Sequence, residues 1–196
     1  LGDPASVAEL GIQAVKACPK GIDVLINNGG VSSRSPFVET DASVDQKLMQ
    51  INFLSGAALT KAVAPGMIAK GAGRIVWISS VQGLLAIPGR TSYAASKFAV
   101  QGYCDSLRPE LAGSGVTVHV ISPGYIRTNL SLSAITGDGK AYGKMDETTA
   151  KGADPKDVAV ATLDSVAADQ AELMVAAGLS AHVGMWLRFL FPDLLR

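Results

Sequence analysis

No sign of charge predominates in this sequence: 17 lysines and arginines meet 17 aspartates and glutamates, and the formal net charge is zero. There is no basic stripe either, so nothing draws the chain to nucleic acid. Cysteine is scarce. Cys18 and Cys104 lie far apart and without metal-ligand spacing, which points to a reduced compartment or inert buried thiols. Histidine is as rare. His119 sits inside the strand-like run 116–121, where a packed or hydrogen-bonded imidazole is expected, and His182 has no ligand-like neighbours. The chain shows no internal repeat and no low-complexity segment, and its first residues do not read as a signal peptide. No stretch of ~20 apolar residues is available to span a bilayer. What is present, 196 residues of which 48% are hydrophobic and 17% charged, suits one globular domain with a real core.

Two kinds of segment alternate. Short Val- and Ile-rich runs at 22–27, 74–79, 116–122 and 172–176 predict buried strands. Longer periodic runs at 4–18, 42–70, 92–112 and 155–168 predict helices, the last opened by Asp154 as N-cap and Pro155 at the first helical position. Pro65 and Pro109 fall inside helical patterns and are expected to kink or shorten them. Strands apolar on both faces and separated by helices predict a doubly wound α/β fold, a parallel sheet with helices on both sides. Residues 130–152 are rich in Ser, Thr and Gly and directly follow a strand. Ligands of such sheets bind at the strands' carboxyl ends, so this segment is expected to act as a substrate-side lid. Residues 179–196 carry Met185-Trp186-Leu187-Arg188-Phe189-Leu190-Phe191, an apolar extension that either covers the core, docks on a partner or lies on a membrane.

The chemistry concentrates after the second strand. Ser80 is followed thirteen residues later by Tyr93, and Lys97 stands four beyond that. A helix puts Tyr93 and Lys97 on one face. An ammonium beside a phenol favours the phenolate, so Lys97 is expected to lower the Tyr93 pKa, while Ser80 holds a substrate oxygen at the same point. Such a set moves a proton on and off an oxygen while a hydride moves elsewhere. Each motif alone is weak, and Asn27-Asn28-Gly29-Gly30 could be only a turn. The order is specific: Asn27 to Gly30 ends one strand, Asn52 lies in the next helix, Ser80 ends the next strand, Tyr93 and Lys97 open a helix, and Pro123-Gly124 ends the strand after it.

In that order and spacing the chain resembles the short-chain dehydrogenase/reductase family over essentially its whole length. The resemblance implies a Rossmann-like fold and a catalytic tetrad of Asn52, Ser80, Tyr93 and Lys97. It implies NAD or NADP as cofactor. Asn27 and Gly30 would pack against the adenosine side, Lys97 would bind the nicotinamide ribose hydroxyls, Ile126 and Thr128 would hold the carboxamide and nearby phosphate oxygens, and Tyr93, Pro123 and Gly124 would also contact the cofactor. It also assigns Asn52 a water that relays protons from Lys97. The run from Ile121 to Ser131, with Ala134-Ile135-Thr136, Tyr142-Gly143 and Met145-Asp146, resembles more narrowly the dehydrogenase/reductase member 7 group, particularly 7B and 7C. That likeness implies endoplasmic or sarcoplasmic reticulum membrane association and a hydrophobic alcohol or carbonyl substrate, retinoid- or steroid-like. A homodimer through the helices at 42–70 and 92–112 is a further expectation.

Three features depart from the family pattern. Gly29 stands where alanine is usual. Pro109 should disturb the helix beyond the catalytic turn. The glycine-rich turn that cradles a pyrophosphate at a helix N-terminus is not in this sequence, nor is the residue that selects NAD over NADP. The chain therefore reads as the C-terminal two-thirds of a single domain. Its strand at 22–27 is expected to lack a sheet neighbour, and the chain alone to hold neither cofactor tightly. Two other functions compete: epimerisation or dehydration of a nucleotide sugar by the same tetrad, and a truncated or pseudoenzyme chain that binds a partner or membrane.

Overall fold

The four predicted strands form one parallel sheet. β1 (Val24–Asn27), β2 (Gly73–Ile78), β3 (Val116–Pro123) and β4 (Glu172–Val175) lie side by side in that order. The structure is a computed structural model that describes residues 1–195; Arg196, the end of the predicted C-terminal extension, lies outside the described residues. Successive side chains of a strand point to opposite faces. Ile75 and Trp77 of β2 therefore join Val116, Val118 and Val120 of β3 on one face, and Val76 and Ile121 turn to the other. The first face is covered by α3 (Ser55–Lys70) and α4 (Thr91–Glu110), whose Ala57, Val63, Met67, Val100 and Cys104 complete the main core. Phe53 and Tyr103 pack around the Trp77 ring, their centroids 6.4 and 5.6 Å from it. The second face is covered at the β3–β4 end by α6 (Pro155–Ala167), through Val166.

β1 is the edge strand among the described residues, and its Val24 and Ile26 are 42% and 46% exposed. This matches the expectation of a strand without its second neighbour. α1 (Pro4–Ala17) packs on α3 and begins where Asp3 accepts from the amides of Ala5 and Ser6. Asp154 caps α6 in the same way, accepting from the Lys156 amide ahead of Pro155, as its sequence predicts.

The predicted helix at 42–70 is not one regular element. α2 (Ala42–Met49) passes into a π-helical turn at Gln50–Leu54 before α3 begins. Pro65 neither ends nor shortens α3. It sits on the exposed side of that helix, away from the packed core, where the loss of its N–H is tolerated. Pro109 is the penultimate residue of α4, so the helix stops at Glu110, short of the predicted end at 112. His119 is buried, with Nδ1 at 2.8 Å from the Gln170 carbonyl and Nε2 at 2.7 Å from Thr117 Oγ1, a structural histidine as expected. Cys104 is the inert thiol foreseen, buried and pushed up to about 12 by desolvation; Cys18, by contrast, is exposed.

Residues 130–152 fold over the start of α4 through isolated bridges rather than regular strands, with the one-turn helix α5 (Glu147–Ala150) near their end. Ser131 and Ala134 are fully buried there, and Ile135 packs with Val44, Leu48 and Tyr93. α7 (Leu179–Leu190) touches the body through Gly184, against Leu85, and through Arg188, which stacks on Phe98 and donates to the Leu84 carbonyl. Its larger apolar residues Leu179, Trp186, Phe189 and Leu190 are exposed, so core covering does not account for them.

Candidate active site

Three strand ends converge on a cavity of about 650 Å³. The loop after β1 brings Asn28 and Gly30 to it, the turn after β2 brings Ser79, Ser80 and Gln82, and the end of β3 brings Pro123 and Gly124. This is the carboxyl edge of an open parallel sheet, where a ligand meets loops instead of packed side chains. α4 adds Tyr93 and Lys97 from its first two turns, and Ile126 and Thr128 close the far wall. Gly30, Ser80, Tyr93, Lys97, Pro123, Gly124, Ile126 and Thr128 thus line one cavity.

Asn27 and Asn52 stand behind that wall. Asn27 is buried and donates from Nδ2 to Thr60 Oγ1 at 3.0 Å, tying β1 to α3. Asn52 occupies the middle of the π turn. Its Oδ1 accepts from the Val31 amide at 2.8 Å, and its Nδ2 donates to the Val31 carbonyl and to Ser96 Oγ, both at 2.9 Å. Extra residues in a π turn displace side chains from the ordinary helical face, and such turns gather at functional sites. Here the turn aims Asn52 at the loop after β1, fixing the backbone beside Gly30. A Cβ added at Gly30 would stand 3.5 Å from Asn52 Oδ1 and 3.6 Å from Lys97 Nζ. The glycine therefore leaves clear the space in front of both polar groups.

Ser80 accepts from the Gln82 amide at 3.1 Å, which winds the short turn Val81–Gly83 and fixes its hydroxyl at the strand end. Tyr93 is buried, its ring among Val44, Leu48 and Ile135. Burial raises its pKa above the ordinary phenol value, while the hydroxyl of Ser80 and the charges of Arg90 and Arg34 pull it back in part. Lys97 is equally buried and donates from Nζ to the Ile78 carbonyl at 2.8 Å. That ammonium lies 5.8 Å from the centre of the Tyr93 ring, and desolvation brings its pKa down to about 8. The net shift at Tyr93 is upward, the opposite of the expected lowering, because burial outweighs the partial offset from the Ser80 hydroxyl and the Arg90 and Arg34 charges.

Several residues of the site have no motif to announce them. Gln101 donates to Ser79 Oγ at 3.2 Å and to Ser122 Oγ at 2.9 Å, pinning the ends of β2 and β3 to α4. Gln82 lines the cavity with a buried Oε1 that has no hydrogen-bond partner among the described residues. Arg34 and Arg90 also line it, and both meet Asp146 from the segment 130–152. Gly124 has a packing reason for being glycine: a Cβ there would fall 2.0 Å from the Ala176 carbonyl oxygen, just past β4. Among the described residues no cluster of His, Cys, Asp and Glu could hold a metal ion.

A buried hydroxyl pair and a lysine at the carboxyl edge of a parallel sheet, on this spacing, mark a class of proteins that the sequence comparison defines directly. The profile of the short chain dehydrogenase family matches residues 1–138, and the chain belongs to that family. Among curated proteins it is similar to a dehydrogenase/reductase SDR family protein 7-like of Anopheles gambiae, 48% identical over 182 residues, 93% of this chain and 57% of that protein. It is likewise similar to dehydrogenase/reductase SDR family member 7B of Danio rerio, 50% identical over 173 residues, 88% of this chain and 56% of that protein. The chain thus spans a little over half the length of these relatives, whose names agree with the narrower sequence resemblance. A solved short-chain dehydrogenase of Streptomyces avermitilis superposes with a TM-score of 0.79 at 26% identity, covering 99% of this chain and 74% of that one. One of Burkholderia phymatum, solved in complex with NAD, gives 0.83 at 23% identity over 100% and 74%, and shows the same fold.

Proposed function

We propose that this chain carries the acid/base site of an NAD(P)-dependent oxidoreductase that interconverts a hydrophobic alcohol and its ketone or aldehyde. The observation that carries the proposal is the meeting of Ser80, Tyr93 and Lys97 in one cavity whose remaining wall includes Leu85, Ile87, Ile126 and Leu130. A nicotinamide nucleotide fits the residues present. The space kept open by Gly30 leads to Lys97 Nζ, a donor suited to ribose hydroxyls, and Ile126 and Thr128 face it across the cavity. When bound, that cofactor supplies or accepts the hydride.

The chain's own groups do the rest. Tyr93 gives a proton to the carbonyl oxygen in reduction and takes it back in oxidation. Ser80, held by the Gln82 amide, donates to the same oxygen and stabilises the charge that develops there. Apolar side chains hold the substrate body and exclude water. The segment 130–152, packed on Tyr93 through Ile135, serves as the lid. Among the described residues no helix is long and apolar enough to cross a membrane. The exposed apolar row on α7 supports work at a membrane surface, as the narrower resemblance implies. The test is oxidation and reduction by the whole protein of paired alcohols and carbonyls, from short polar ones to retinoids and steroids, with NAD and NADP in turn. Turnover confined to hydrophobic pairs is expected; turnover only of small polar pairs, or of none, would remove the proposed substrate class.

A further inference from the structure

We propose that residues 143–151 form a flap over the cavity, latched by the Asp146 carboxylate to Arg34 and Arg90, and that release of this one latch admits substrate and frees product while residues 131–142 stay in place. The inference rests on the cavity being the substrate site, and it divides the lid segment into a fixed part and a moving part.

The fixed part is held by backbone and apolar contacts. Arg34 N donates to the Ile135 carbonyl, Ile135 N to the Ser32 carbonyl and Asp41 N to the Gly137 carbonyl, each at 2.9 Å. Tyr142 N returns to the Ala134 carbonyl at 2.8 Å, and Ile135 packs among Val44, Leu48 and Tyr93. The next tie of this kind comes at Ala153, which donates to the Tyr125 carbonyl and accepts from Arg127 N, both at 2.9 Å. Between these ties, among the described residues, the backbone bonds are local: Ala150 to Asp146, Lys151 to Glu147 and Gly152 to Thr149. A glycine stands at each end. Gly143 has a φ of +65° and open space where a Cβ would project, and a Cβ on Gly152 would meet the Tyr125 carbonyl oxygen at 2.6 Å.

All of 143–151 is exposed except Asp146 and Thr149. Asp146 Oδ2 accepts from Arg34 Nε at 2.9 Å and Nη2 at 2.5 Å, from Arg90 Nη2 at 3.1 Å and from Ser131 Oγ at 3.2 Å, while Tyr142 donates to Oδ1 at 3.3 Å. Thr149 Oγ1 lies 2.8 Å from Ser131 Oγ, and Thr149 lines the cavity together with Arg34 and Arg90. The receiving side is rigid. Arg34 Nη1 is committed to Ser32 Oγ and the Ser33 carbonyl, at 2.6 and 2.7 Å, and Arg90 immediately precedes α4. Closed, the three charged side chains are largely buried, and charge-assisted bonds are strong there. Open, water reaches the carboxylate and both guanidiniums together, so no charge is stranded in the interior. The latch therefore holds and still lets go, whereas Ile135 gains nothing by leaving its apolar site.

Hydrogen exchange in the whole protein, wild type against Asp146→Asn, reads the latch without a substrate. α5 is a single turn, too short to persist unsupported, so release of Asp146 frees its amides. Exchange at Ala150 and Lys151 is expected to quicken about tenfold or more, with Ile135, Tyr142 and Ala153 protected as before. Unchanged exchange at Ala150 and Lys151, or equal loosening at Ile135 and Tyr142, would overturn the latch. Should Asp146→Asn not fold, Arg90→Gln is expected to give the same pattern at smaller size, and the same two contrary results overturn it. Gating is read by retinal reduction: Asp146→Asn should raise KM about threefold or more and leave kcat unchanged or higher, because only entry and exit are altered. An unchanged KM, or a loss of kcat, would overturn the gate. Failure of the wild-type protein to reduce either retinal or a steroid ketone is a different result: it removes the proposed substrate class, and the exchange pattern then decides the latch.

Discussion

Lys97 lies one helical turn beyond Tyr93, yet its Nζ donates to the Ile78 carbonyl at 2.8 Å and stands 5.8 Å from the centre of the Tyr93 ring. The sequence spacing puts the two on one helix face; the strand end captures the ammonium. Desolvation then brings the Lys97 pKa from 10.5 to about 8. Below pH 8 both folded and unfolded chains carry the proton, and the fold bears the cost of a buried ammonium. Between about 8 and 10.5 the folded state sheds its proton first, so the Lys97 contribution to stability rises across that window and is lost as pH falls through 8. The swing is roughly 3 kcal/mol. Denaturant unfolding of wild type and Lys97→Met at stepped pH measures it. The difference between them should move in favour of wild type as pH rises from 7 to 10, and a difference independent of pH would contradict the burial of a titrating Lys97.

Asn52 makes three hydrogen bonds, two of them to the backbone of Val31. Asn52→Ala leaves the Val31 amide and carbonyl without these partners, at about 1–3 kcal/mol for each group that stays buried. The expected outcome is a lower melting temperature together with loosening confined to the loop after β1. Hydrogen exchange at Val31 reads the second effect directly. Protection unchanged there would show that the clamp is not what holds the loop, leaving Asn52 only the proton-relay role its family resemblance implies.

Gly124→Ala puts a methyl group 2.0 Å from the Ala176 carbonyl oxygen. Backbone on both sides must shift, and overpacking of this kind costs about 1–3 kcal/mol or more. Because Gly124 also lines the cavity, cofactor affinity should fall along with stability. A variant as stable as wild type would mean that β4 moves freely against β3.

Much of this organisation can be read from the chain because its signals are local. Val- and Ile-rich runs gave all four strands to within about two residues, since a buried parallel strand must be apolar on both faces. Ser80, Tyr93 and Lys97 were legible because one strand, one turn and one helix start deliver them in close succession. The rest depends on partners distant in sequence. Nothing near Arg34 or Arg90 announces Asp146, which lies 112 and 56 residues away from them. The π turn exists to bring Asn52 to Val31, a tertiary demand with no periodic signature. Nor does helical spacing foretell the Ile78 carbonyl that receives Lys97 Nζ, because it says which residues share a face and not what waits opposite. The apolar run after 179 likewise could not say that Trp186 and Phe189 would face outward.

The central claim is that Tyr93 moves the proton. Its most direct test is Tyr93→Phe in the whole protein, with turnover of a hydrophobic alcohol and its carbonyl measured beside cofactor affinity by calorimetry. The substitution removes one oxygen from a ring that is otherwise packed among Val44, Leu48 and Ile135, so fold and cofactor affinity should be nearly unchanged. The account predicts a loss of turnover of about 100-fold or more, the scale of a missing general acid. Turnover within a few-fold of wild type, with the cofactor bound as tightly, would contradict it.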